Sequence, residues 1–431
     1  MTARPSPVFR AACMAVSCCL VSARMQAQEP IRPESLSSEL RARVSSEIVQ
    51  GVAAHFAHWS AISDVPFDTL AAQYLRAAGT TPERRAFDML TLRFMAALRN
   101  GHTDFNDRWL WSSDGAPLGF TPRYRDSQWR VTRSGVAGLA SGDAITTIDG
   151  EAFEAFFQRQ RTFIAESSER EARLVFPARG YLFPSAFMLG LADGRTVRVH
   201  RGPVVPLGDA TEVAASAVQH RWLVPDSVAY LRIASFAHGA AEREALAAVS
   251  DLARSPALVL DLRGNGGGST PWKLRKALAR GPSRDFQLER DLARPNVLVR
   301  AFTPLVLRLW RVPHYGGRLI VLTDAGCASA CEDLVIALKG NDGTTVVGDT
   351  TFGSTGQPYM MDFGNGMTAR VSARRARMPN GSAFEGVGIT PDIHMPSVVG
   401  STEDRAMQCA LTIARRRLPV DAMRPAASCA L

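Results

Sequence analysis

The sequence is poor in lysine, in clustered basic residues and in long apolar runs, and each shortage excludes a class of protein. Only three of its 50 basic residues are lysines, and the arginines are scattered rather than grouped with aromatic side chains. A nucleic-acid partner is therefore not expected. After the N-terminus no apolar run reaches the length of about eighteen residues that a membrane-spanning helix needs. The Gly-x-x-x-x-Gly-Lys-Ser/Thr pattern is also missing, which argues against nucleotide binding.

The composition is that of an ordinary globular chain. Its 431 residues are 46% hydrophobic and 21% charged, which allows two to three domains with sizeable cores. Residues 1–27 carry three arginines and no acid, so they leave +6 of the formal charge of +9 to the rest of the chain. Such a positive field would help to attract peptide carboxylates or acidic substrates.

The N-terminus has the pattern of an export signal. An apolar run from Ala11 to Val21 follows two arginines and is too short to span a bilayer, and a small-residue cleavage site lies near Ala27. We expect a signal peptide over residues 1–27 and a periplasmic or secreted protein. A disordered leader is the alternative. A lipid anchor on Cys18 or Cys19 is also open, and membrane association is expected only in that case.

Seven cysteines bear on the compartment and on metal binding. Three would leave with the signal peptide, and an even number remains, which permits disulfides in an exported protein. The remaining residues are Cys327, Cys331, Cys409 and Cys429. They allow three pairings, among which the sequence does not choose. No histidine lies near them at ligand spacing, so neither zinc nor another cofactor is expected.

Residues 34–107 place apolar side chains at helical spacing and predict a helical N-terminal region. Pro82 is typical of a helix start, with Thr81 as the N-cap. The Asn-Gly pair at 100–101 is typical of a helix end. His102 follows this pair directly.

Residues 108–204 change to short β-rich segments that are punctuated by Gly, Pro and Asp. Within them the stretch from Gly138 to Gly150 resembles the G-L-x-x-G-D-x-I-x-x-I-[DN]-G pattern of PDZ domains, with a strand from Ala144 to Ile148 between two turns. PDZ domains bind extended peptide tails by adding a strand to a sheet edge. An unrelated β-hairpin is the alternative.

Residues 205–398 alternate strands with helices, which predicts an α/β core with a largely parallel sheet. A helix is expected over Ala240–Ala253, while 282–316 is irregular and 399–431 is a C-terminal helix or tail. The expected strands are Val228–Ile233, Ala257–Leu262, Arg318–Thr323 and Thr344–Val347.

Ser329 lies in the segment 326–332, Gly-Cys-Ala-Ser-Ala-Cys-Glu, between a predicted strand and a predicted helix. The helix N-terminus offers free N–H groups and a positive dipole end, and the amide of Ala330 is placed to bind an oxyanion. A glycine loop after the strand that ends near residue 262 would add a donor from Gly266 or Gly267. Taken alone, a serine in this position is more often a plain helix cap. The flanking cysteines leave a thiol nucleophile open.

The order of the motifs resembles peptidase family S41, the tail-specific and C-terminal processing proteases that include the tricorn core. After the PDZ-like segment the resemblance is carried by Y-L-R-I-x-x-F, D-L-R-x-N-x-G-G, S-A-C-E, G-D-T-T-F-G and E-G-V-G-I-T-P-D, within residues 90–396. It implies a ClpP/crotonase-like α/β catalytic core with a PDZ-like domain and a helical N-terminal region. It also implies that Ser329 is the nucleophile of a serine peptidase.

The base differs from that of the Ser/Lys branch of this family. Ser354 stands where that branch has its lysine. Lys339 is ten residues beyond Ser329 on the same predicted helix, about 15 Å along its axis and too far to act. His102, in Asn-Gly-His-Thr, matches the [DN]-G-H-[ST] motif of the His-using branch, so the resemblance implies that His102 is the base.

Glu385 matches by position the glutamate that completes the tricorn site, and we expect it to orient His102. In tricorn a second serine precedes the histidine, whereas Gly101 stands there in this chain. Glu385 would therefore act directly, through Thr103 or through water. Glu332 is a weaker candidate, because a glutamate in the first turn of a helix commonly serves only the helix dipole.

The expected activity is that of a secreted serine endopeptidase that hydrolyses polypeptides near their C-terminal tails through an acyl-enzyme. The partner is a polypeptide substrate, and the sequence does not fix an oligomeric state. The alternative is a non-catalytic protein on the same scaffold that binds a peptide tail or an apolar ligand, as the related interphotoreceptor retinoid-binding protein would suggest. The apolar segment Phe302–Trp310 would suit such a ligand.

Overall fold

The structure is a computed structural model that describes residues 35–202, 217–280, 285–292, 311–396, 403–415 and 429. The expected signal peptide and the apolar segment Phe302–Trp310 lie outside these residues. Within the described ranges, no helix combines the length and the apolar character that crossing a membrane requires.

The N-terminal region is helical, as expected. Its elements are α1 (Ser38–His55), α2 (Phe67–Thr80), α3 (Arg84–Ala96), the strand β1 (Asp104–Asp107) and α4 (Arg108–Asp114). The cap of α3 is Glu83, whose carboxylate accepts the N–H groups of Arg85 and Ala86. The prediction of Thr81 as the cap is wrong, because its hydroxyl donates back to the Ala77 carbonyl at the end of α2.

The β-rich region forms a sheet in the order β2-β3-β4-β6-β7, with β5 paired to β4. Its elements are β2 (Phe120–Arg125), β3 (Gln128–Ser134), β4 (Ala144–Ile148), β5 (Glu151–Ala152), α5 (Phe153–Gln160), α6 (Glu169–Val175), β6 (Ala186–Leu191) and β7 (Thr196–His200). The strand predicted at Ala144–Ile148 is confirmed. Trp129 packs against Phe153, Phe157 and Phe176 in a core that continues into the N-terminal helices.

The third region is an α/β core, which confirms the expected class. Its first elements are β8 (Val218–Val224), β9 (Val228–Ile233), α7 (Ala241–Asp251), β10 (Ala257–Asp261), α8 (Trp272–Leu278), β11 (Gln287–Asp291) and β12 (Arg318–Thr323). There follow α9 (Ala330–Leu338), β13 (Thr344–Gly348), β14 (Tyr359–Asp362), β15 (Met367–Val371), β16 (Arg374–Arg377), β17 (Ile393–His394) and α10 (Arg405–Arg415).

The main sheet has the order β17-β13-β12-β10-β9-β8, parallel except for β8. Alternate residues of its central strands enter different cores: Leu258 and Leu260 pack with α7, α8 and α9, whereas Ala257 and Val259 pack with α10. Burial on both faces explains why these strands are almost continuously apolar.

The carboxyl ends of β10, β12 and β13 meet at one edge of this sheet, where α/β proteins commonly bind ligands. Three loops begin there: the glycine loop after β10, the turn before α9 and the loop after β13. Strand β1, two residues after His102, pairs with β15. This pairing brings the end of the N-terminal region to the same edge.

Candidate active site

Ser329 occupies a sharp turn immediately before α9. Its φ of 55° and ψ of −120° lie in a region that costs a non-glycine residue about 1–3 kcal/mol. The backbone is held on both sides: the Ser329 N–H donates to the Ser354 carbonyl (2.9 Å) and to Glu332 Oε2 (3.1 Å), and the Ser329 carbonyl accepts the Asp333 N–H. The surrounding chain therefore fixes the direction of this serine.

His102 lies between two serine hydroxyls. Its Nε2 is 3.2 Å from Ser329 Oγ, and its Nδ1 is 2.7 Å from Ser354 Oγ. Asn100 places the residue, because its side-chain oxygen accepts both the His102 N–H and the Thr103 hydroxyl. The imidazole is almost fully buried.

The hydrogen bonds define a chain from Ser329 to Glu385. Ser354 Oγ donates to Glu385 Oε1 over 2.9 Å, and a hydroxyl has only one hydrogen to donate. Its oxygen must then accept from His102, which assigns the proton of the neutral ring to Nδ1. Nε2 is left as an acceptor facing the Ser329 hydroxyl. This is the protonation state that a general base needs.

The environment sets the charges along this chain. Burial lowers the pKa of His102 to about 3, with smaller contributions from the positive Arg370 and from His58. Burial raises the pKa of Glu385 to about 7, although hydrogen bonds from Ser167, Ser354 and Thr355 favour the ionised carboxylate. The ring is therefore neutral at neutral pH, whereas Glu385 titrates there.

Glu332 joins the turn at Ser329 to the loop that carries Ser354. Its fully buried carboxylate accepts the N–H groups of Ser329, Gly353 and Ser354 and the hydroxyl of Thr351. Burial raises its pKa to about 8 against the effect of these donors. Its first-turn position suggested mainly helix-dipole compensation, but the structure assigns it the tighter role of a scaffold for both serines.

The glycine loop packs directly on the turn at Ser329. A Cβ on Gly267 would lie 2.7 Å from Ser329 Cβ and 3.0 Å from the Ala330 nitrogen, so only glycine fits. The Gly267 N–H already donates to Asn265 Oδ1 (2.9 Å), which corrects the expectation that it is available for an oxyanion. Within the described part of the chain, the N–H groups of Ala330 and Gly266 have no acceptor.

The β-rich region reaches into the site through Arg170 on α6. Its guanidinium donates to three consecutive carbonyls, those of Thr350, Thr351 and Phe352, each over 2.8 Å. These residues lead directly to Ser354. The loop that carries Ser354 is thus held from one side by Glu332 and from the other by α6.

The cysteines are paired as Cys327–Cys331 and Cys409–Cys429. The first bond encloses Ser329, with two residues on either side. A thiol nucleophile is therefore excluded in this state, because both sulfurs beside the serine are bonded.

The structure brings Ser329, His102 and Glu385 together, with Ser354 as the link that sequence reasoning missed. Thr103 does not provide this link, since its hydroxyl is bonded to Asn100 and accepts the Ser372 N–H. The clue was present in the sequence, because Ser354 stands where the Ser/Lys branch has its lysine. Lys339, at the far end of α9, pairs with Asp392.

Residues 227–395 match the peptidase S41 family. This segment is similar to the catalytic domain of that family and covers less than half of the chain. The matched segment contains the glycine loop, Ser329, Ser354 and Glu385, whereas His102 lies outside it. The imidazole beside Ser329 thus comes from the N-terminal region, outside the matched segment.

Relatives of this chain include the chloroplastic C-terminal processing peptidase of Tetradesmus obliquus, 28% identical over 62% of this chain and 55% of the relative. The carboxy-terminal processing protease CtpB of Bacillus subtilis is 31% identical over 39% of this chain and 34% of the CtpB chain. The chain thus spans about half the length of the first relative and less of the second. Mature CPAF shares the fold with a TM-score of 0.61, 15% identity and coverage of 83% and 92% of the two chains.

Proposed function

We propose that this chain is a serine peptidase that hydrolyses peptide bonds of polypeptides near their C-terminal tails through an acyl-enzyme. The observation that carries the proposal is the continuous hydrogen-bonded chain from Ser329 through His102 and Ser354 to Glu385. The processing proteases among its relatives support the class of reaction and of substrate.

In the first step, the Ser329 hydroxyl gives its proton to His102 Nε2 while its oxygen attacks the carbonyl carbon of the scissile bond. The N–H groups of Ala330 and Gly266 stabilise the resulting oxyanion. The imidazolium that forms keeps its Nδ1–H on Ser354, which passes the stabilising effect of Glu385 to the ring. Because the burial of His102 disfavours a positive charge, this ionised partner is needed.

In the second step, His102 Nε2–H protonates the leaving amine nitrogen, which leaves the acyl group on Ser329. His102 then takes a proton from water, the resulting hydroxide attacks the acyl carbonyl, and Ser329 leaves with the proton. The pair of steps restores the starting protonation state.

We also infer the arrangement of the chain around this site. Residues 34–107 carry the base, 108–204 form a PDZ-like domain, 205–398 form the catalytic core, and 399–431 are a C-terminal helix or tail. Strand β2 lies at the edge of the β-rich sheet, where an added peptide strand could pair. Two disulfides support a periplasmic or secreted location.

The proposal is tested with an unstructured polypeptide offered with a free or an amidated C-terminus. We expect cleavage by the wild type, and a rise in KM on amidation if the tail is recognised. Ser329→Ala and His102→Ala should each lose on the order of 10⁴-fold in kcat, since members of one relay act as a unit. Ser113→Ala, at an exposed position on α4, is the matched control. Full activity of Ser329→Ala would refute the proposal.

A further inference from the structure

The Cys327–Cys331 disulfide closes a five-residue ring with Ser329 at its centre. The two Cα atoms are 5.5 Å apart, and neither cysteine has measurable exposure. Within the ring the Cys331 N–H donates to the Ala328 carbonyl over 3.1 Å. The cross-link therefore restrains the turn that gives Ser329 its positive φ.

The same disulfide lies where the three loops of the site meet. The Cys327 carbonyl accepts the Phe352 N–H (2.9 Å), two residues before Ser354. The Cys331 sulfur lies 3.8 Å from the Leu262 carbonyl, just before the glycine loop. Breaking this bond would consequently affect the positions of Ser329, of the loop that carries Ser354 and of the glycine loop.

We propose that this disulfide is a positioning element for Ser329 and that hydrolysis depends on its oxidation. The inference rests on the proposed peptidase function. A serine before a helix normally adopts extended backbone angles and turns its hydroxyl onto the N–H groups of the first helical turn. In this chain the ring opposes that relaxed geometry and keeps Ser329 Oγ facing His102 Nε2.

Reduction would release the restraint by a defined reaction. In the unfolded chain, where both sulfurs are accessible, one sulfur of a dithiol reductant attacks a sulfur of the bond, and its second sulfur then resolves the mixed disulfide. The chain gains two S–H groups, and the reductant leaves as a cyclic disulfide. Oxidation reverses the change. The chain would be inactive in a reducing compartment and become active where disulfides form.

The second disulfide supplies a matched control. Cys409 lies on α10 and packs against the opposite face of the main sheet from the helices α7, α8 and α9. The double variant Cys409→Ala/Cys429→Ala loses one cross-link without touching the site. Cys327→Ala/Cys331→Ala loses the cross-link around Ser329.

The experiment compares kcat, KM, thermal midpoint and the rate at which a serine-directed phosphonate modifies Ser329. For Cys327→Ala/Cys331→Ala we expect kcat and the labelling rate to fall about 10²-fold, because small misplacements of reacting groups have large effects. KM should stay within about twofold, since substrate contacts are kept. The control variant should keep the wild-type kcat and labelling rate. A folded Cys327→Ala/Cys331→Ala protein with wild-type kcat would overturn the inference.

A second measurement decides the case in which that variant does not fold. Cys409→Ala/Cys429→Ala is refolded with excess dithiothreitol, its free thiols are counted, and activity is followed before and after oxidation. A folded, inactive dithiol form that regains activity on oxidation supports the inference. A dithiol form that is active, or one that is unfolded, overturns it, because the bond would then be dispensable or would serve the whole fold. If the oxidised wild type neither hydrolyses peptides nor labels, the proposed function itself has failed.

Discussion

Glu332, which is fully buried, and Glu385, which is partly buried, both lie beside the loop that carries Ser354, yet they hold the site in different ways. Glu332 accepts three backbone N–H groups and one hydroxyl, so it fixes where the chain runs. One oxygen of Glu385 accepts hydrogen bonds from the side chains of Asn100, Ser167 and Ser354. Glu385 therefore fixes the direction of the hydrogen bonds that these side chains donate. The first acts as a scaffold, and in the proposed mechanism the second is the end of a relay.

The two glutamates differ equally in how they are assembled. Glu332 is three residues from Ser329 and reaches it within one helical turn. Glu385 meets donors from the N-terminal region, the β-rich region and the core. The site therefore has a local part that folds with α9 and a distant part that forms only when all three regions pack together.

Of the two glutamates, Glu332 is expected to show the larger effect. In Glu332→Gln the amide NH₂ faces donors whichever way it turns, so at least one buried N–H loses its acceptor. We expect the free energy of unfolding to fall by about 3 kcal/mol and kcat to fall by about 10³-fold. Denaturant titration and steady-state kinetics measure both. Glu289→Gln, in a partly exposed ion-pair network, is the control. Equal losses of stability and kcat in the two variants would contradict a scaffold role for Glu332.

The relay should respond in kcat with little change in stability. In Glu385→Gln the amide oxygen can still accept from the three side chains, but the negative charge is lost. We expect kcat to fall by about 10²-fold in Glu385→Gln and in Ser354→Ala. The double variant should be no worse than either single one, because both break the same chain. Multiplicative losses in the double variant would show that Ser354 does not link His102 to Glu385.

The pH dependence of activity separates the two ends of the relay. In the proposed mechanism, activity requires neutral His102 and ionised Glu385. The pKa of His102 is lowered to about 3, and that of Glu385 is raised to about 7. The wild-type kcat/KM should therefore fall about tenfold per pH unit below pH 7. In Glu385→Gln this acid limb should disappear, since the histidine stays neutral well below that pH. The same limb in both enzymes would assign it to His102.

A smaller effect is expected from Glu171 on α6. Burial raises its pKa to about 9, and its Oε1 has no partner among the described residues. Because the folded state keeps a proton that the unfolded state loses, stability is full at acid pH and is lost as pH rises towards 9. Glu171→Gln should make the fall of the free energy of unfolding with pH less steep by roughly 1 kcal/mol per pH unit. Unfolding titrations from pH 6 to 9 measure it, with the exposed Glu169→Gln as control, and equal slopes would contradict the burial argument.

Much of the local part could be predicted from the sequence. The strands of the core and the turn at Ser329 follow from apolar runs and glycine placement, and the α/β class is confirmed. The cap of α3 was mistaken, because Thr81 and Glu83 both lie before the helix and only packing decides which one reaches its N–H groups.

The distant part could not be predicted, because it depends on where side chains from separate regions meet. A Cβ on Gly101 would lie 3.1 Å from Ser354 Oγ and 2.3 Å from Glu166 Oε2. The space that a side chain before the histidine would use is thus filled by Glu166 and by Ser354, the second from more than 250 positions away. Likewise, spacing alone could not show that Asn265 takes the N–H of Gly267, nor which cysteines pair.

The most direct test of the relay is the rate at which a fluorophosphonate modifies the protein, with the adduct located by mass spectrometry. The account predicts one adduct, on Ser329, that forms in the wild type and slows about 10²-fold or more in His102→Gln and in Ser354→Ala. An adduct on another residue, or a Ser329 adduct that forms equally fast in all three proteins, would contradict it.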